Sequence, residues 1–300
     1  MTAFTMKQFH AEFPNDQACL ERLMEVNYGG TEIDCPGCGV HSKFHPMTTR
    51  RAYACQECGH HVYPCAGTIF HKSSTKLTHW FQTMYLLTST RHGVAAKEVQ
   101  RQTGVTYKTA WRMCHELRKL MATADHGGKL GGHVEMDETY IGGKQKVGPR
   151  TQKNKKKTWA SNKTIVFGMA ERDGKLRAGP VRNNWLSTIE PIVKENVERG
   201  ATVSTDEHGG YNDLTLSGYK HGTVAHSKME YVKGIHHTNT IESHWGHFKR
   251  SVAGTHVTVS QKHLWKYIAE FTYRRNYRLS HSQMFTRLVA AFALPRLTET

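Results

Sequence analysis

The chain has 300 residues, 38% of them hydrophobic, and no apolar run reaches the roughly eighteen residues that a membrane span requires. Lysine and arginine total 41 against 25 aspartates and glutamates, a formal net charge of +16 with a pI near 9.6. That excess points to a polyanionic partner. No amphipathic basic helix fits an acidic membrane surface, so DNA or RNA is the stronger reading and plain solubility the alternative.

The N-terminus, MTAFTMKQFHAEFPND, has no apolar core, so no secretory signal is expected and the cytoplasm is the expected compartment. Over residues 1–30 the pattern predicts a helix. Pro14 and Asn15 mark its start, Cys19, Leu23 and Val26 share a face, and Tyr28-Gly29-Gly30 ends it. Residues 31–72 are rich in Cys, Gly and His, with short strand-like pieces. Four of the seven cysteines follow Cys35-x2-Cys38-x16-Cys55-x2-Cys58. Each tight C-x-x-C turn sets two thiolates on one side of a knuckle, and two knuckles complete a tetrahedral sulfur shell for structural Zn2+. His60, His61 and Cys65 lie near enough to substitute for one ligand. Cys19 and Cys114 fall on apolar helical faces and read as core. The pairing suits a reducing compartment.

Residues 75–121 read as helical with one break at Thr103-Gly104. A helix from about Ala95 to Gln102, a glycine turn and a second helix capped by Thr106 make a helix-turn-helix pattern over residues 73–126. Tyr107, Lys108 and Arg112 fall on or near its exposed face, and Trp111 either packs inward or stacks. An ordinary helical hairpin is the alternative. Glycines at 127, 128, 131 and 132 form a joint to the second half of the chain.

His133–Ile141 alternates like a strand. Residues 143–163 carry eight basic residues and no acid, a positively charged insertion that includes Lys155, Lys156 and Lys157. Thr164–Ala170 and Leu176–Val181 read as a hairpin around Arg172-Asp173-Gly174-Lys175. Ser187–Val197 reads as a helix and Ala201–Thr205 as a short strand ending at Asp206. Residues 239–252 and 262–277 read as helices. In the last, Trp265, Ile268, Phe271 and Tyr267 fit a core stripe, leaving Arg274, Arg275 and Arg278 to face phosphates. Residues 130–280 thus form an α/β domain, and 281–300 a C-terminal tail.

The acids of this basic chain are crowded. Alternation puts Glu135, Asp137, Thr139 and Ile141 on one face of the strand and Val134, Met136, Glu138 and Tyr140 on the other. Asp206 closes a second strand. Glu242 lies on a helix whose apolar stripe is Ile241, Trp245, Phe248 and Val252, and shares an edge with Lys249 two turns on. Two strand carboxylates and one helix carboxylate can hold two Mg2+ ions, with Mn2+ as a substitute, and such a pair clamps both oxygens of a phosphoryl displacement. Blander readings stand beside this one. Glu135 and Glu138 read as solvated, Asp137 as a salt-bridge partner, Asp206 as a turn residue, and Glu242 as the third residue of a capping box begun by Asn239.

Together FPNDQACLERL, CPGCG with CQECGHHVYPCAGTIFHKSSTKLTHWF, VEMDETYIGGK, VSTDEHGGY and HTNTIESHWGHFKR resemble the DDE-superfamily transposases of bacterial insertion sequences, in the ISXO2-like branch with an N-terminal zinc ribbon. The resemblance implies a ribonuclease H-like catalytic fold, its first Asp on the first strand, its second on the fourth and its last acid on a late helix. It implies two Mg2+ ions and cutting and joining of DNA at the ends of a mobile element. Asp137, Asp206 and Glu242 fall on its triad and Lys249 on its basic position. Asn239 is the alternative third ligand, since that position is Asn in some members of the branch. Pairing two element ends implies a homo-oligomer, at least a dimer. A zinc-ribbon regulator without catalysis and a nuclease that only hydrolyses DNA are the competing functions.

Overall fold

The computed structural model describes residues 4–125, 127–142, 163–211 and 214–293. These form two units, residues 1–125 with 277–300 and residues 126–276. The greater part of the basic insertion, with Lys155, Lys156 and Lys157, lies outside the described residues.

The first unit opens on a helix the pattern did not predict, α1 (Met6–Glu12), fixed by a reciprocal capping box between Thr5 and Gln8. Helix α2 (Asp16–Tyr28) follows as expected, capped by Asn15 and ended by Gly29 at φ +80°. Strands β1 (Glu32–Asp34), β2 (His41–Pro46), β3 (Tyr53–Cys55) and β4 (His61–Val62) pair antiparallel in sequence order. The stretch expected to be helical with one break has two. Helix α3 (Leu77–Ser89) stops before Arg91-His92-Gly93, where Gly93 takes φ +78°. Helices α4 (Ala96–Thr103) and α5 (Tyr107–Ala124) then flank Gly104, at φ +73°, and α5 is capped by Thr106 as expected.

Within the expected tail, residues 281–290 form a helix, α9 (His281–Ala290), whose Met284, Phe285, Leu288 and Val289 are buried. It packs on α3 and α5. Phe285 joins Phe9, Phe13 and Phe81 in an aromatic core, with Phe13 and Phe81 centroids 4.9 Å apart.

Asp16 ties this unit together. Helix α3 has no side-chain cap of its own. Asp16 supplies one from α2, accepting from the amides of Leu77 and Thr78 and from the Thr78 hydroxyl, each at 3.0 Å. Arg51 donates to it at 3.2 Å. Burial pushes the Asp16 pKa up, but the Thr78 and Leu77 amides, the Thr78 hydroxyl and Arg51 together outweigh it, and the net shift is downward. The contribution is therefore full above the ordinary carboxylate pKa and fades as pH falls through the lowered one. Asp16→Ala is expected to lower stability by about 1–2 kcal/mol near neutral pH and by less in acid, read from thermal melts.

In the second unit, β5 (His133–Ile141), β6 (Thr164–Glu171), β7 (Leu176–Val181), β8 (Thr202–Thr205) and β9 (Lys220–Thr223) make one sheet in the order β7-β6-β5-β8-β9. Strands β5, β6 and β7 run antiparallel, while β8 and β9 join parallel to β5 and to each other. The hairpin turn falls at Arg172–Lys175, as expected. Val134, Met136, Phe167, Met169 and Val203 pack on Ile189 and Val193 of α6 (Leu186–Asn196). On the other face, Ile141, Val166, Ala170 and Leu176 pack on Ile241, Trp245 and Phe248 of α7 (Asn239–Ser251) and on Leu264 and Ile268 of α8 (Leu264–Asn276). Gly168 makes the α7 contact close. A Cβ there would stand 2.5 Å from the Trp245 ring, and Gly168 lies directly across from Asp137.

Candidate functional site

The four ribbon cysteines converge. Cys35 and Cys38 lie in the β1–β2 turn, Cys55 ends β3 and Cys58 follows it, and their sulfurs all lie within 4.8 Å of one another. Among the described residues this is the only group of three or more His, Cys, Asp or Glu side chains so close. Cys35 and Cys58 sulfurs are 3.6 Å apart, against about 3.8 Å for the edge of a tetrahedron with Zn–S bonds of 2.3 Å. Gly39 and Gly59, at φ +75° and +74°, turn each knuckle. No cysteine is in a disulfide. The donor set fits structural Zn2+. His60 packs its ring over the backbone of Gly37, and the spacing's own four residues suffice without it, His61 or Cys65. Cys19 and Cys114 are fully buried, as expected of core residues.

The acids gather on the second unit. Parallel pairing sets Glu135 beside Ser204, each two residues before Asp137 and Asp206, and the Asp206 charge acts on Asp137. Burial raises the Asp137 pKa to about 7, and the charges of Asp206, Glu138 and Glu242 add to the shift. Glu138, on the opposite face of β5, is also half-buried rather than solvated. Burial and then Asp206 lift it to about 7 against the opposing pull of Tyr211. Tyr211 lies close enough to favour the carboxylate, yet its hydroxyl and Glu138 Oε1 both remain buried without completing a hydrogen bond. Buried carboxylates that repel one another, with one orphaned oxygen, form the hard donor set that a divalent cation relieves.

Glu242 is held. Thr238, not Asn239, is the N-cap of α7, and its hydroxyl donates to Glu242 Oε1 at 2.6 Å. His226 Nε2 stands 3.6 Å from the same oxygen. Asp206 Oδ1 accepts the His208 amide at 3.0 Å. Asn239 opens α7 with an exposed side chain, and Lys249 is exposed near its end.

Glu135 departs most from expectation. It is fully buried. Arg172 Nε donates to it at 2.8 Å, the Thr240 amide at 2.7 Å, the Thr240 hydroxyl at 3.0 Å and the Ile241 amide at 3.2 Å. His237 Nδ1 stands 3.1 Å away. Its place on the Asp137 face was the one available signal, since that face carries α7.

The surface residues divide. Tyr107 is 50% exposed, and Lys108 is exposed beside it. Trp111 is 37% exposed, and its ring lies against His115 one turn on, with centroids 3.8 Å apart. Arg112 is exposed but engaged, donating to Ser73 and Thr75 hydroxyls at 3.1 and 3.3 Å and lying over the Trp80 ring. Arg274 corrects the expectation that it faces phosphates. It is buried at 8% exposure and paired with the buried Glu270 one turn earlier, because α8 turns that side into the protein. Arg275 and Arg278 are half-buried.

Comparison with known proteins agrees with this layout. The family model described as ISXO2-like transposase domain matches residues 129–276, and that described as transposase zinc-ribbon domain matches residues 14–61. An uncharacterized protein in the transposable element ISH50 of Halobacterium salinarum is 30% identical over 256 residues, 81% of this chain and 85% of its own. An uncharacterized transposase-like protein of Haemophilus influenzae is 28% identical over 96 residues, 32% of this chain and 76% of its own. A zinc ribbon and a transposase domain in one chain define an insertion-sequence transposase. The chain belongs to the ISXO2-like family of these proteins. No helix among the described residues is long and apolar enough to cross a membrane.

Proposed function

We propose that this transposase cuts and rejoins DNA at the ends of its element, with Asp137, Asp206 and Glu242 as ligands of two Mg2+ ions. The observation that carries the reading is the gathering of acids from β5, from the residue after β8 and from α7, where burial first and then the charges of Asp206, Glu138 and Glu242 lift Asp137 to about 7. A sheet ordered β7-β6-β5-β8-β9, with its acids on the first and after the fourth strand, supports a ribonuclease H-like domain. When bound, the metals activate the attacking oxygen and stabilise the leaving one. The chain's own residues do the rest. Thr238 orients Glu242, Lys249 contacts a phosphate near the cut, and Asn239 lies within one turn of the third ligand. DNA approaches through α4–α5, where Tyr107 and Lys108 are open, and through the basic insertion and Arg275. Holding two ends requires at least a dimer.

A metal that displaces a proton from Asp137 binds more tightly as pH rises to about 7 and levels off above it. Mn2+ is therefore expected to raise the melting midpoint more at about pH 8 than at about pH 5.5, and that difference should shrink in Asp137→Asn, leaving the part that Glu138 contributes. An equal shift at both pH values would contradict the ligand role.

The function is tested in cells by excision and integration of a marker placed between the element's native flanks. Movement with the wild type and none with Asp206→Ala supports the reading. Binding to the flanks with no movement in either would favour a regulator, and cutting without joined products a nuclease.

A further inference from the structure

The first-turn amides of a helix have no intrahelical partner and are ordinarily capped from within the same segment. Helix α7 is not capped in this way, because the Thr238 side chain accepts no backbone bond. The cap comes from the sheet, where Glu135 Oε2 accepts the amides of Thr240 and Ile241 and Oε1 accepts the Thr240 hydroxyl. A buried carboxylate needs a counter-charge, and Arg172 supplies it through Nε. The same guanidinium reaches forward, donating from Nη1 to the Ile235 carbonyl at 2.8 Å and from Nη2 to that of His237 at 3.4 Å. It also meets His133 Nδ1 at 3.1 Å. One ion pair thus grips both the approach to α7 and its first turn. Glu135 shares its strand face with Asp137, and Glu242 directly follows the two amides it holds.

We propose that Glu135 and Arg172 are positioning residues: their ion pair pins the start of α7 to β5 and so sets where the Glu242 carboxylate stands relative to Asp137 and Asp206. The proposal rests on the reading of these three acids as metal ligands. A plain capping role would stabilise the helix without touching the metal. A positioning role makes the metal site depend on Glu135 only through Glu242.

The test uses the full-length chain and Mn2+ as the probe, with its dissociation constant measured by calorimetry and folding followed by thermal melting. Glu135→Gln, which leaves an oxygen for the amides but removes the charge that holds Arg172, is expected to weaken Mn2+ binding about tenfold. Glu242→Ala should weaken it at least as much, and the double variant should match Glu242→Ala alone to within about twofold, because coupled groups are not additive. Arg172→Lys should keep most of the affinity that Arg172→Ala loses. If Glu135→Gln does not fold, the Arg172 pair and Thr240→Val, which removes one of the contacts, decide the matter in its place. Unchanged Mn2+ affinity in Glu135→Gln, or a loss that adds fully to that of Glu242→Ala, would overturn the positioning role and leave the triad standing. Unchanged affinity in Glu242→Ala would overturn the triad reading and this proposal with it.

Discussion

Asp137→Asn and Asp206→Asn are each expected to abolish strand cutting while making the protein no less stable. The side chain keeps its size and loses its charge. If the acids hold metals, removing one ligand forfeits several kcal/mol of transition-state stabilisation, and about 4 kcal/mol already corresponds to a thousandfold in rate. Stability should move the other way for Asp137. Burial, then Asp206, Glu138 and Glu242, lift its pKa to about 7, so the ionised carboxylate costs stability above its ordinary pKa, increasingly until pH reaches about 7. Asparagine has no such cost, and the metal-free variant should melt higher than wild type at about pH 8. DNA binding should hold or tighten, because a negative charge beside the phosphates has gone. Supercoiled DNA carrying the native flanks, assayed with Mg2+ for nicking and in parallel for retention by the protein, reads both quantities. Persistent nicking in either variant would remove that residue from the site. Nicking lost together with binding and melting temperature would mark it as structural.

The parts of this site that the sequence made legible are those set by local chemistry. The hairpin at Arg172–Lys175 was readable because its turn residues lie next to two apolar strands, and Asp173 takes the positive φ, +58°, that such a turn needs. Helix α7 was readable from the stripe of Ile241, Trp245 and Phe248, all of which are buried. Glu135 was misread because its partners come from residues 172 and 237–241, across the sheet. A carboxylate's environment is decided by such long-range neighbours, and strand alternation reports only its face. Arg274 failed for a related reason. Its Glu270 partner is one turn away and visible, but burial of that whole side of α8 depends on packing that a mixed aromatic and basic stretch does not disclose. Helix α1 carries a local signal of its own, since Thr5 and Gln8 have the capping-box spacing. Helix α9 is short, with polar residues at its start, and its apolar face acquires meaning only against α3 and α5.

Cys55→Ser is expected to strip the chain of zinc and to unfold the ribbon without disturbing the acid site. Strands of 3, 6, 3 and 2 residues bury too little to persist alone, and their buried side chains amount to Ser42, Phe44, Tyr53, Cys55 and Val62. Sheets this small rely on a metal, whose binding to a structural sulfur site contributes about 10–16 kcal/mol at neutral pH. Cys55 is the most informative of the four to replace because it is buried within β3 and also meets Ser42 Oγ at 3.5 Å. The loss should spread to α2, since Asn27 donates to the Pro64 carbonyl at 2.7 Å and Gln17 to the Tyr53 hydroxyl at 3.3 Å. Metal analysis of the purified chain should give about one zinc in the wild type and almost none in the variant, and a chelator should reproduce the variant's spectrum in the wild type. The sheet of residues 126–276 has two hydrophobic clusters of its own, so the Mn2+-induced rise in its melting should survive. Zinc retained in Cys55→Ser would mean that a neighbour such as His60 takes the fourth position, and the closed four-sulfur site would then have to be abandoned.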